Sequence, residues 1–293
     1  MVRNWKAWIL ASALLVPLVL AGCATLDEQQ RKWVFQPAKH SWGGAYAAEG
    51  MQDRWIEFSS AESGEPVKLH ALWLPQPDAH APLLLYLHGA RWDVRSSAFR
   101  MRRMHELGFA VLGIDYRGFG QSTDALPSQA LAGEDARAAW DWLGAMHPGL
   151  PRYLFGHSLG SAIAVQLASE VDDESGVLVE GAFTSLPDVV SSFKWGWLPV
   201  GPLITQRFDS ASRVALIGSP LLVVHGARDT LIAPQLGRAL YDQALPPKRF
   251  ELVEGGSHHN TNSVGQAQYR EAIAELFGIG AVHARGRGPI AAR

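Results

Sequence analysis

The stretch Tyr153, Leu154, Phe155, Gly156, His157, Ser158, Leu159, Gly160, Ser161, Ala162 runs from a short apolar segment through a G-x-S-x-G pentapeptide into residues that favour a helix. A serine placed between a strand and a helix in this way occupies the apex of a sharp turn, and Gly156 and Gly160 remove side chains that would collide with it. The Ser158 hydroxyl is then expected above the carboxyl edge of a sheet. The first amide of the following helix, that of Leu159, and the positive end of the helix dipole would face an oxyanion formed there. Gly and Ser are common residues, so the pentapeptide gains its weight from the strand before it and the helix after it.

Outward from this turn the chain repeats one theme. Continuous apolar runs at Leu83–Leu87, Ala110–Ile114, Tyr153–Phe155, Gly176–Val179 and Leu221–Val224 alternate with segments that can be helical: Ser97–Leu107, Leu131–Met146, Leu159–Ser169 and Pro234–Gln243. Runs of this kind suit strands buried on both faces of a mostly parallel sheet flanked by helices, which makes the fold class α/β. Ahead of them, Trp55–Phe58 and Lys68–Leu74 alternate apolar with polar residues around Ser63 and Gly64, the signature of an antiparallel hairpin. A last strand near Arg249–Val253 and a helix near Gln266–Phe277 close the domain.

A serine hydroxyl stays protonated at neutral pH, so Ser158 needs a general base, and the base needs an orienting carboxylate. The buried run Leu221–Val224 continues into His225, Gly226, Ala227, Arg228, Asp229, which carries Asp229 to the same edge of the sheet. The next strand ends at Val253, and Glu254, Gly255, Gly256, Ser257 lead to His258 and His259 on a loop. Spacing alone does not choose between the two histidines. Glu180, just past the run Gly176–Val179, is a second candidate acid.

The chain has 293 residues, 47% hydrophobic and 18% charged, enough for one large core and therefore one catalytic domain, expected over residues 51–278. A formal charge of −2 and the lack of any aromatic–basic repeat argue against a nucleic-acid partner. Near the N-terminus, Arg3 and Lys6 precede an uncharged run from Trp8 to Leu20, the pattern of an export signal, shorter than the roughly 20 residues of a membrane span. Leu20, Ala21, Gly22, Cys23 resemble a bacterial lipobox, so residues 1–22 are expected to be a lipoprotein signal peptide and Cys23, the one cysteine of the chain, the lipidated residue. By resemblance to the usual lipoprotein sorting pattern, Ala24 in place of Asp implies the outer membrane, where the cell has one, facing the periplasm. Residues 23–50 read as a lipidated tether and lead-in, and 279–293 as a disordered tail.

Taken together, Leu85–Ala90 (LYLHGA), Asp115–Ser122 (DYRGFGQS), Gly156–Gly160 (GHSLG), His225–Asp229 (HGARD) and Gly255–His258 (GGSH) resemble the α/β-hydrolases, in the branch of abhydrolase-domain esterases, monoacylglycerol-lipase-like enzymes and acyl-thioesterases. The likeness spans roughly Gln52 to Phe277. It implies a Ser158–His258–Asp229 triad, with His258 chosen because the family sets its base after a Gly-Gly-x lead, and Asp229 preferred over Glu180 for its H-G-x-x-D context. It also implies an oxyanion hole from the amides of Ala90 and Leu159, a structural turn at Asp115–Ser122, and a small lid excursion over about residues 185–212. Phe193, Trp195 and Trp197 in that excursion would wall an acyl pocket or pack it onto the body. Arg91, Arg95, Arg100, Arg102 and Arg103 are a basic cluster that would attract anionic substrates or lipid head groups or, as the preferred reading, form a solvated helix face.

The activity so implied is hydrolysis of a small-molecule or lipid ester through an acyl-enzyme, with a thioesterase or a serine peptidase or amidase as alternatives. A non-catalytic envelope lipoprotein that uses the same body to bind is the rival of another class. The sequence has no His-Glu-x-x-His, no paired cysteines and no dinucleotide glycine pattern ahead of a helix, so neither metal nor organic cofactor is expected.

Overall fold

Eight strands form one sheet in the order β1-β2-β4-β3-β5-β6-β7-β8. They are β1 (Gln52–Ser59), β2 (Pro66–Leu74), β3 (Leu83–Leu87), β4 (Ala110–Ile114), β5 (Arg152–His157), β6 (Glu174–Glu180), β7 (Leu221–Gly226) and β8 (Lys248–Val253) in a computed structural model that describes residues 22–37, 45–193, 197–198 and 200–280. β1 and β2 are the hairpin read from alternation, paired with Gln52 opposite Trp73, and β2 runs antiparallel to β4. From β4 to β8 every pairing is parallel. The sheet with its flanking helices is the expected α/β-hydrolase architecture.

The apolar runs are continuous because both faces of each central strand are covered. In β3, Leu83, Leu85 and Leu87 join one buried cluster with Trp140 of α3 (Gln129–Met146) and Ile163 of α4 (Leu159–Ala168). Leu84 and Tyr86 join the other, with Met101 of α2 (Ala98–His105) and Tyr269 of α8 (Gln266–Phe277). Between β6 and β7 lies α5 (Leu186–Ser191), started by the Ser185 side chain, which accepts from the Asp188 amide. α6 (Pro234–Gln243) follows β7, and the short α7 (Thr261–Val264) precedes α8.

The lead-in is built into the body. Residues 22–35 form a helix, α1, and Phe35 at its end is fully buried, its ring edge-on to Phe208 at 5.8 Å. The loop after β4 is held by the Arg117 guanidinium, which reaches Asp135 at 2.7 Å, Glu134 at 2.5 Å and Ser60 at 2.9 Å. Of the expected signal peptide (1–22) residues 1–21, and of the expected tail (279–293) residues 281–293, lie outside the described residues. Among the described residues no helix is long and apolar enough to cross a membrane.

Buried His70 on β2 lies 2.9 Å from Asp115 and 2.7 Å from Asp53, which also accepts from Arg95. Burial opposes its charge, but the hydrogen bonds and charges of Asp115 and Asp53 outweigh that and hold its pKa above the usual histidine value. A raised folded-state pKa contributes stability that is full below the unfolded pKa and is lost as pH rises through the folded one. The stability difference between the parent and His70→Gln, measured by urea unfolding, is therefore expected to be largest near pH 6 and to shrink steadily toward pH 9.

Candidate active site

Ser158 follows β5 and immediately precedes α4, with φ 54° and ψ −121°, a conformation that L-residues rarely adopt. The two flanking glycines are required by contact as well. A Cβ on Gly156 would stand 2.2 Å from the Gly160 carbonyl oxygen, and one on Gly160 would stand 2.1 Å from that of Leu87. The turn so produced lifts the serine off the carboxyl end of β5, beside the loop after β3. Strand order reverses at this point, where open α/β sheets leave a crevice.

The structure brings Ser158, His258 and Asp229 together. His258 Nε2 is 2.9 Å from Ser158 Oγ, and His258 Nδ1 is 2.7 Å from Asp229 Oδ2. Asp229 stands just beyond β7, and its other oxygen accepts from the amides of Leu231 at 2.9 Å and Ile232 at 2.8 Å. Burial alone would raise its pKa. Hydrogen bonds from His225 and His258, with the Ile232 amide, hold it below the carboxylate range instead, so Asp229 is an anion with a fixed orientation. His259 points elsewhere, stacked on Trp92 at 5.6 Å. Glu180 belongs to a different cluster, described below. His88 and His225 are fully buried and bond to backbone carbonyls, of Gly89 at 2.7 Å and Ile232 at 3.0 Å.

Leu159 is the first residue of α4, where an amide N–H has no acceptor within its own helix, and Ala90 lies on the loop after β3 beside the serine. Both line, with Ser158, a cavity of about 600 Å³. One wall comes from the excursion between β6 and β7: Phe183, Leu186, Val189, Val190 and Phe193, then Val200, Leu203 and Ile204. Leu231 and Ile232 close the side next to Asp229. The remaining wall, from α1, has no counterpart in the sequence reading: Leu26, Gln30, Trp33 and Val34, with Gln36 beyond. Of the excursion aromatics, Phe193 lines the cavity, Trp197 faces outward, and Trp195 lies outside the described residues.

The histidine loop rests on a buried network, of which the sequence reading placed one member, Arg100, on the surface. Arg100 is fully buried, not part of a solvated basic face, and the other arginines of that stretch are dispersed onto separate partners. Its Nε donates to Glu180 at 3.2 Å, and one terminal nitrogen reaches the carbonyl oxygens of His258 at 3.3 Å and His259 at 3.2 Å. Tyr269 donates to the second Glu180 oxygen at 2.5 Å. His157 lies 3.0 Å from both Arg100 and the His258 carbonyl, and burial together with the Arg100 charge keeps its pKa well below the usual histidine value, so it stays neutral. Only the pairing of Arg100 with a carboxylate eighty positions away distinguishes it from its exposed neighbours, and no local pattern carries that information.

Arg100→Met leaves the Glu180 carboxylate buried without its cation and frees the loop that presents His258. Breaking such a pair on one side is expected to cost about 3–5 kcal/mol by urea unfolding, together with a fall in kcat. Arg100→Lys is expected to recover little of either, since one ammonium cannot replace a planar fork with several acceptors.

Comparison with known proteins finds hydrolases among those similar to this chain. A family model described as serine aminopeptidase, S33, matches residues 78–208. An uncharacterised protein of Mycobacterium tuberculosis is 32% identical over 267 residues, 90% of this chain and 92% of that protein. The lysophosphatidylserine lipase of Macaca fascicularis is 28% identical over 223 residues, 69% of this chain but 51% of the lipase, so the chain spans about half the length of that relative. Among solved structures, an esterase of Pyrococcus furiosus superposes with a TM-score of 0.64 at 18% identity, covering 83% of this chain and 97% of the esterase.

Proposed function

From the premise that this chain belongs to the α/β-hydrolases, we propose that it is a serine-dependent acyl hydrolase of the carboxylesterase or lipase type, with Ser158 as nucleophile, His258 as base and Asp229 as its orienting acid. The observation that carries the reading is the path Asp229–His258–Ser158, at 2.7 and 2.9 Å, ending on the floor of an apolar cavity. Asp229 keeps the proton of His258 on Nδ1, which leaves Nε2 free to take the Ser158 proton as Oγ attacks the carbonyl. The amides of Leu159 and Ala90 receive the oxyanion at the N-terminus of α4. His258 then gives the proton to the leaving alcohol, and water repeats the steps in the opposite sense.

An ester is favoured over an aminoacyl peptide by the lining. No Asp or Glu stands among the described residues of the cavity wall, so no carboxylate there would pair with a free α-ammonium. An acyl chain, by contrast, gains about 0.8 kcal/mol for each buried methylene, close to fourfold in kcat/KM. With p-nitrophenyl esters, kcat/KM is therefore expected to rise by about fourfold per methylene until the cavity is full and then to level off. Acyl-thioesters and aminoacyl amides run beside them complete the test. Inactivity on all three would sink the assignment and leave a binding lipoprotein as the better reading.

The same proposal includes the setting. Cys23, exposed at the start of α1, is the lipidated residue of a mature envelope lipoprotein, held in the outer membrane and facing the periplasm. Several acyl chains on one cysteine anchor a domain durably, since a single chain gives only marginal binding. Mass spectrometry of the membrane-extracted protein is expected to show a diacylglycerol-modified N-terminal peptide beginning at Cys23.

A further inference from the structure

Helix α1 both follows Cys23 and walls the cavity. Cys23, Leu26, Gln30 and Trp33 are spaced so that they share one helix face, and the last three line the cavity. The helix is clamped to the excursion by its polar groups. Gln30 donates to the Leu203 carbonyl at 2.8 Å and accepts from the Thr205 amide at 2.9 Å, while Asp27 accepts from Thr205 Oγ1 at 2.7 Å and from Gln206 at 3.0 Å.

Around this contact, large apolar side chains face outward. Trp33 is 67% exposed, Leu203 59% and Phe193 47%, although all three line the cavity, so they stand at its mouth. Trp197, 73% exposed, and Leu198 face outward on the same excursion, and the Leu198 carbonyl accepts at 2.8 Å from the amide of Val200, which lines the cavity. Soluble surfaces seldom leave such a group to water, and a group of this kind round a cavity marks a contact surface.

The chain itself names the occupant. The uncharged run Trp8–Leu20 ends just before Gly22 and Cys23, at the head of α1. Under the anchoring proposed above, by acyl chains on Cys23 or by that run if it stays attached, the group that enters a bilayer is joined to the helix that forms the cavity wall. Tryptophan, with an apolar ring and a polar N–H, suits the headgroup level on which such a rim would sit.

We infer that the face bearing Cys23, Trp33, Phe193, Trp197, Leu198 and Leu203 rests on a lipid bilayer and that the cavity to Ser158 opens onto it, so that a substrate's acyl chain passes from membrane to nucleophile without crossing water. The inference rests on the acyl-hydrolase reading for its substrate, but the contact itself is independent of catalysis.

The test uses the full chain in phosphatidylcholine vesicles whose acyl chains carry bromine. Tryptophan fluorescence is expected to be quenched, and the quenched fraction to fall in Trp33→Phe/Trp197→Phe; an unchanged quenched fraction would place the rim in water and overturn the inference. In parallel, Trp197→Ser/Leu198→Ser is expected to lower kcat/KM for a long-chain ester presented in the vesicles by about tenfold, through lost interfacial area, while a soluble short-chain ester stays within about twofold. An equal fall on both esters, or none on either, would count against the bilayer route. If the parent protein hydrolyses neither ester, the hydrolase reading fails, and the quenching result alone still decides the surface.

Discussion

Ser158→Ala is expected to lower kcat by about 10⁶-fold and to abolish covalent labelling by a fluorophosphonate, with the urea midpoint unchanged. The size follows from the arrangement. The 2.9 Å contact to His258 Nε2 makes the hydroxyl and the imidazole one functional unit, so losing either removes the attack altogether. Ser158→Ala/His258→Ala should then be no worse than either single variant, because what remains, the Leu159 and Ala90 amides and the apolar cavity, is the same in all three. Labelling that survives Ser158→Ala would assign the nucleophile elsewhere. His259→Ala provides the contrast: with its ring stacked on Trp92 and away from the serine, it is expected to keep kcat within a few-fold.

The second large effect is expected at Asp229→Asn, about 10⁴-fold in kcat with little change in fold. Asp229 Oδ1 accepts two amides, from Leu231 and Ile232, and in the variant those amides retain the asparagine oxygen. The NH₂ group must then take the place of Oδ2, 2.7 Å from His258 Nδ1. As a donor it forces Nδ1 to accept, which moves the imidazole proton to Nε2, the atom that should receive the proton of Ser158. The rate loss is thus a tautomer effect, and it should diminish as pH rises far enough for hydroxide to replace the base. A loss unchanged with pH, accompanied by a lowered urea midpoint, would indicate instead that Asp229 serves the fold.

Most of the sheet was legible because its information is local. Five parallel strands were visible as apolar runs since both faces of each are buried. The elbow was legible because Gly156 and Gly160 answer backbone contacts within the motif itself. The choice between His258 and His259 was beyond spacing, because adjacent residues differ only in which way each side chain turns. Helix α1 was overlooked although its signs were present: Asp27–Arg31 and Glu28–Lys32 are ion pairs one turn apart, and Leu26, Trp33 and Val34 repeat at helical spacing. Its apolar face was hard to read as a buried one because only Phe35 is fully covered by the body. Arg100 lay furthest from reach, since its burial depends on Glu180 and on two carbonyls from the far end of the chain.

The end of α1 touches the loop that carries Ala90. The Arg91 amide donates to the Phe35 carbonyl at 2.8 Å, and the Arg91 guanidinium reaches Gln36 at 2.9 Å. A shortened chain beginning at residue 51 would keep Ser158, His258 and Asp229 yet lose one side of the cavity and the brace of the loop that carries Ala90. If the proposed acyl hydrolysis holds, assays on such a fragment are expected to show a lower rate and a weaker chain-length preference than assays on the whole protein.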